Sequence, residues 1–158
     1  MDEVVCLTDF FRTFADILDV DVPKDAGEDS YNIHAVLANK DRPSPIREAT
    51  VHHSVCGQFA IRKGDWKLIE GSGDGDFPRN EKGGVDAKVW APTKNAETGE
   101  WHLDYFDWKP DDKHQLFDMR NDPYETKDLA KEKPEKVQEL LDLLNQYREQ
   151  DRSVPISK

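Results

Sequence analysis

The stretch from Gln58 to Ile69 constrains this chain more than any other. Phe59 and Ile61 alternate with Ala60 and Arg62, and Trp66 and Leu68 alternate with Lys67 and Ile69. A period of two carried by aromatic and β-branched residues is the pattern of strands. Gly64-Asp65 separates the two runs. Glycine first in a two-residue loop suits a type II′ turn, whose twist matches that of the flanking strands. The reading is therefore a hairpin with strands over 58–63 and 66–70. It brings Trp66 opposite Lys63 or near Ile61, on the face of Leu68, as a core residue rather than a ligand.

Other segments fall into place around the hairpin. Leu7, Phe10, Phe11, Phe14, Ile17 and Leu18 lie on one face of a 3.6-residue period, which predicts an amphipathic helix over 8–18. Thr8 is its expected N-cap, with Asp9 in the first turn. Residues 19–47 hold Pro23, Gly27, Pro43 and Pro45 and read as a connecting arm, with a short helical turn from Ile33 to Leu37. Further strands are expected near 49–54 and 114–119, the second ended by the turn residues Asn121-Asp122-Pro123. Pro134 opens a last helix, where a missing N–H costs nothing. Its apolar stripe is Val137, Leu140, Leu141, Leu144 and Tyr147, and Glu135, Lys136, Glu139 and Arg148 mark its solvated face. The fold class is α/β (α+β): a small antiparallel sheet of about four strands with the C-terminal helix packed on one face. Two parts are expected, 1–47 as a helix and arm, and 48–158 as the sheet domain with a long insertion at 71–113. Gly71 to Asp76 and Gly83-Gly84 punctuate the insertion as loop, while Trp90, Trp101, Tyr105, Phe106 and Trp108 argue for a locally packed loop or hairpin.

Charge narrows the partners. The 158 residues carry 33 acidic and 22 basic side chains, a net charge of −11. Such a chain repels phosphates, which argues against nucleic acid and anionic membranes. No run approaches the roughly 18 apolar residues of a membrane span. Asp2 and Glu3 at the start, with no long apolar stretch after them, do not read as a signal peptide. Cys6 and Cys56 are left open between a pair and two free thiols.

Four segments resemble one family in its own order. Val51 to Ile69 is similar to the "aiRkGdWKLi" hairpin of the C-terminal subdomain of sulfatases, of the alkaline phosphatase superfamily. Gln115 to Ala130 resembles their "eLYdLxnDPxExxNLa" segment. Thr8 to Leu18 resembles the "D-x-x-P-T-x-x-D-L" helix near the end of their catalytic domain, with Arg12 in place of Pro and Asp19 where Gly is common. Asp29 to Ile33 resembles the "DGxSL" turn that follows. The resemblance implies a parent enzyme that hydrolyses sulfate esters, on an aryl sulfate or a sulfated carbohydrate. It implies a formylglycine and calcium in that parent, and leaves the compartment open. Neither Cys6 nor Cys56 stands in the C/S-x-P/A-x-R motif that formylglycine requires, because Phe10 and Ala60 occupy the Arg position. The chain is therefore read as a C-terminal fragment whose partners are an N-terminal catalytic domain of the same polypeptide and a sulfated small molecule or glycan. On this reading it has no catalytic residue and no cofactor of its own, and is inactive alone. The alternative is a stand-alone carbohydrate- or protein-binding module.

His52 and His53 are the candidate substrate-binding residues. They point to opposite faces of a strand, so at most one faces a given cleft. An imidazole there could hydrogen-bond a sulfate or a sugar hydroxyl; the competing role is a hydrogen-bonded structural histidine. Arg62, Lys63 and Lys67 are basic and either solvated or anion-binding. Asp74, Asp76, Asn80 and Glu81 fail the calcium-loop spacing and read as loop acids. Asp118, Asp122 and Glu125 read as turn and cap residues. Trp90, Trp101 and Trp108 could stack on sugars or pack locally.

Overall fold

A computed structural model describes residues 3–41, 45–54, 57–72, 93–102, 111–150 and 152–154. Along the chain come a 3₁₀ turn (Leu7–Asp9), α1 (Phe10–Ile17), α2 (His34–Leu37), β1 (Thr50–His53), β2 (Phe59–Lys63), β3 (Trp66–Ile69), β4 (Thr93–Lys94), β5 (Trp101–His102), β6 (Gln115–Asp118) and α3 (Pro134–Glu149). The order in the main sheet is β1-β2-β3-β6, and every neighbouring pair is antiparallel. Lys63 pairs with Trp66, which leaves Gly64-Asp65 as the loop. Only Gly64 of the two has a positive φ, +56°, as a type II′ turn requires.

Directly paired residues share a face of an antiparallel sheet. Val51, Ile61, Leu68 and Leu116 therefore form one row across the strands. Ile61, Leu68 and Leu116 are fully buried, and α3 lays Leu140, Leu143 and Leu144 over them. Burying each such side chain contributes about 1.5–3 kcal/mol, so this row fixes where α3 sits. Leu143 extends the stripe expected for α3. Trp66 packs at the rim of this core, half-buried, with the Lys133 ammonium 5.5 Å from its ring centre. Within the insertion, β4 and β5 form a small hairpin closed by Asn95, whose Oδ1 accepts the N–H groups of Glu97 and Thr98.

The N-terminal arm is organised in the opposite sense. Asp9 and Thr13 of the first turns are buried, whereas Leu7 is 84% exposed, Phe14 54% and Leu18 71%. Thr13 Oγ1 donates to the Asp9 carbonyl and accepts the N–H of Ile33. Asp9 accepts N–H groups from Cys6 and Tyr31 and pairs with Arg47. The expected cap is corrected: Cys6, not Thr8, precedes the first turn, and the Asp9 carboxylate takes the Cys6 N–H. A carboxylate accepts charge-assisted bonds from more than one backbone donor at once, which a Thr hydroxyl cannot match. Arg12 uses the N–H that a Pro would lack, donating it to Ser30 Oγ, while its guanidinium holds the carbonyls of Ala26 and Gly27. Gly27 must be glycine, since an added Cβ would lie 2.7 Å from the Phe11 ring. α1 ends in a Schellman motif: Val20 donates to the Ala15 carbonyl and Asp19 to that of Asp16. Asp19 accordingly takes φ +53°.

Candidate substrate-facing surface

Alternation along β1 sends its two histidines to different faces. His53 pairs with Phe59 on the α3 side, their ring centres 5.6 Å apart, and its Nδ1–H donates to the Ser54 carbonyl at 2.8 Å. His52 lies on the other face, and both histidines are exposed. Among the described residues His52 has no hydrogen-bond partner.

The same alternation divides the three basic residues of the hairpin. Lys63 turns toward α3 and pairs with Glu48 at 3.0 Å and Glu139 at 3.8 Å. Arg62 and Lys67 pair with each other across β2 and β3, on the His52 face. Lys67 is held by both carboxylate oxygens of Glu125, at 2.6 and 2.8 Å. Glu125 reaches it from a left-handed backbone, φ +56°. Arg62 donates its Nε–H to the Gly64 carbonyl at 3.2 Å. Burial pushes the His52 pKa below the ordinary value. The charge of Lys67 pushes it the same way, Glu125 pulls against it, and Arg62 adds a smaller push downward. Near neutral pH this favours the neutral imidazole, a donor and an acceptor at once, beside Arg62 and the Glu125-paired Lys67.

Two cavities lie elsewhere and contain neither histidine. One of about 610 Å³ opens between the hairpin turn and α3, with Glu48, Lys63, Trp66 and Glu139 on its walls. The other, about 380 Å³, follows the seam between arm and sheet, lined by Cys6, Arg47, Thr50, Tyr147 and Arg148. Cys6 is a free, half-buried thiol. Burial pushes its pKa up, but hydrogen bonds with Thr8 and Thr50 and the Arg47 charge outweigh it and hold the pKa below the usual value. Arg148 corrects the solvated face expected for α3: it grips buried Glu70 with both terminal nitrogens and stacks 4.8 Å over Phe59. Asp118 and Asp122 serve as turn acceptors for the N–H groups of Arg120, Asn121 and Lys127.

Among the described residues no group of His, Cys, Asp and Glu converges as a metal site. Cys56, Asp74, Asp76, Asn80, Glu81, Trp90 and Trp108 lie outside the described residues, as does the side chain of Trp101. Sequence reasoning missed the Lys67–Glu125 pair, which joins residues 58 positions apart. It also missed the division of Lys63 from Arg62 and Lys67, which strand alternation alone could have supplied.

No protein-family model matches the chain. The N-acetylgalactosamine-6-O-sulfatase of Bacteroides thetaiotaomicron is 34% identical over 141 residues, covering 89% of this chain and 22% of that protein. A sulfatase structure from work on glycosaminoglycan metabolism by the same organism superposes with a TM-score of 0.60 at 31% identity, over 90% of this chain and 24% of that one. Another structure, in complex with its substrate D-glucosamine-2-N,6-O-disulfate, gives 0.50 at 25% identity, over 92% of this chain and 25% of that one. The chain thus spans only 22–25% of the length of these relatives. The resemblance to the C-terminal portion of sulfatases, read from four short segments, is borne out. So is the α/β class with a four-stranded antiparallel sheet and a C-terminal helix.

Proposed function

We propose that this chain is the C-terminal portion of a sulfatase that hydrolyses a sulfate ester of a carbohydrate, with sulfated glycosaminoglycan sugars as the favoured substrate class. The observation that carries this reading is 34% identity sustained over 141 residues, 89% of this chain, to a sulfatase. Formylglycine and calcium then belong to a catalytic portion preceding residue 1. Residues 1–47 complete that portion, and 48–158 form the C-terminal subdomain. The chain's own role is to complete the fold and to form one wall of the substrate pocket, with His52 or His53 as the contact, and alone it is inactive.

The exposed side of α1 supports a missing neighbour. Phe11, Phe14 and Ile17 are each more than half exposed beside Leu7 and Leu18. A contiguous apolar patch on one helix is the mark of a covered surface, and the catalytic portion is its proposed cover. A stand-alone carbohydrate-binding module with a closed core would have no use for it. The test is release of inorganic sulfate from N-acetylgalactosamine 6-sulfate. The polypeptide extended through its upstream reading frame is expected to release sulfate, and the 158-residue chain none, with or without calcium. An inactive extended polypeptide overturns the reading; activity in the short chain moves the chemistry into it.

A further inference from the structure

We propose that the β1–β2 part of the sheet face turned away from α3 touches the glycan, with His52 reading a sugar hydroxyl and Arg62 reading an anionic group on the same glycan. The inference rests on the sulfatase reading above and narrows it to one face and one of the two histidines.

One ring nitrogen of His53 is already committed. Its Nδ1–H is spent on the Ser54 carbonyl, and its ring lies against Phe59 on the α3 side. His52 is exposed and unpartnered among the described residues. Its neighbours differ in what they leave available. The charge of Lys67 is answered by Glu125 through two contacts, 2.6 and 2.8 Å. Arg62 spends only Nε, on the Gly64 carbonyl, and its terminal nitrogens make no bond among the described residues. Those two nitrogens form a planar fork suited to a sulfate or carboxylate.

The surroundings favour the same assignment. In a chain of net charge −11, an anionic glycan approaches only where positive charge is concentrated locally. A sugar hydroxyl both donates and accepts, and a neutral imidazole answers both demands. The left-handed backbone at Glu125, φ +56°, is a strained conformation retained where it holds Lys67 in place beside the imidazole. Glu125 and Lys67 are positioning residues in this arrangement.

The experiment uses the extended polypeptide and steady-state sulfate release from N-acetylgalactosamine 6-sulfate. His52→Ala is expected to raise KM about 3- to 10-fold, the worth of one hydrogen bond, with kcat little changed. His52→Gln, which keeps a donor and an acceptor, should restore most of the loss. Arg62→Gln should raise KM as well, and His53→Ala should leave both constants unchanged. Thermal melts of each variant separate folding from binding, and the Gln and Arg62 variants carry the test if His52→Ala does not fold. An active enzyme in which His52→Ala is kinetically silent, or in which His53→Ala alone raises KM, overturns this inference and leaves the sulfatase reading standing. An extended wild type that releases no sulfate overturns the reading itself, and this inference with it.

Discussion

The guanidinium of Arg47 meets the carboxylate of Asp9 where neither side chain sees solvent, at 4% and 0% exposure. The pair joins the first turn of the arm to the residues that lead into β1. Asp9 also accepts from Cys6 and Tyr31, and Arg47 also donates to Thr50 Oγ1 and lies 4.5 Å over the Tyr31 ring. Removing one partner of a buried pair strands the other charge and costs about 3–5 kcal/mol. Arg47→Ala and Asp9→Ala are each expected to lower the urea midpoint strongly, and the double substitution to cost less than the two together. An unchanged midpoint in either single variant would show that the pair does not hold the arm.

Trp66 closes the rim of the core rather than its centre. Truncating a fully buried Trp costs about 3–5 kcal/mol. Half-buried beside Lys133 and a cavity, Trp66→Ala should cost roughly 2–3 kcal/mol, read as a lower midpoint with native-like far-ultraviolet dichroism. Equal melting temperatures would remove Trp66 from the core.

Asp19 holds a position that favours glycine. A left-handed backbone costs a non-glycine residue about 1–2 kcal/mol, offset by the roughly 0.5–1 kcal/mol of extra chain entropy that glycine loses. Asp19→Gly is therefore expected to stabilise by about 0.5 kcal/mol. A destabilised variant would indicate that the Asp carboxylate makes a compensating contact.

The apolar side of α1 should make the chain sticky when it is alone. Phe14→Glu combined with Leu18→Lys is expected to reduce self-association in sedimentation without lowering the melting temperature, since both side chains are more than half exposed. A monomeric wild type at high concentration would count against the exposed face.

His52 is disfavoured as a cation by burial first and by Lys67 and Arg62 next. Its imidazole resonance should titrate with a midpoint below the ordinary value of about 6.5. Between the two midpoints the unfolded chain binds more protons, so the His52 contribution to stability is complete above about pH 6.5 and declines as pH falls through the folded midpoint. A midpoint at or above the ordinary value would contradict this surrounding.

The hairpin was legible because its information is local. A period of two and Gly64 in the turn decide register, and register places Lys63 opposite Trp66 and sends His52 and His53 apart. Asp19 was marked only by the family pattern, which commonly has Gly there, and its left-handed backbone emerged from the structure. The polar skeleton of the arm was not legible. Asp9, Thr13, Ser30 and Arg47 are buried through contacts 18 to 38 residues apart, and no periodicity marks such partners. Arg148 misled for the same reason, because a charged residue on a helix reads as solvated until Glu70 is brought beneath it.

The contacts at 152–154 give the molecule an order in time. Arg152 donates to the Lys24 carbonyl, Ser153 to Asp29 and Val154 to the Glu28 carbonyl, and Tyr31 donates to the Ser153 carbonyl. These partners lie 122 to 128 residues apart. At about 5–20 residues per second on the ribosome, the arm waits roughly 6–25 s for them. During that interval buried Asp9 and the open phenylalanines of α1 lack the cover of the C-terminal segment. A nascent chain that stalls between α2 and β6 is then the form most exposed to aggregation and proteolysis, and the catalytic portion proposed above would shield it if it folds against α1 first.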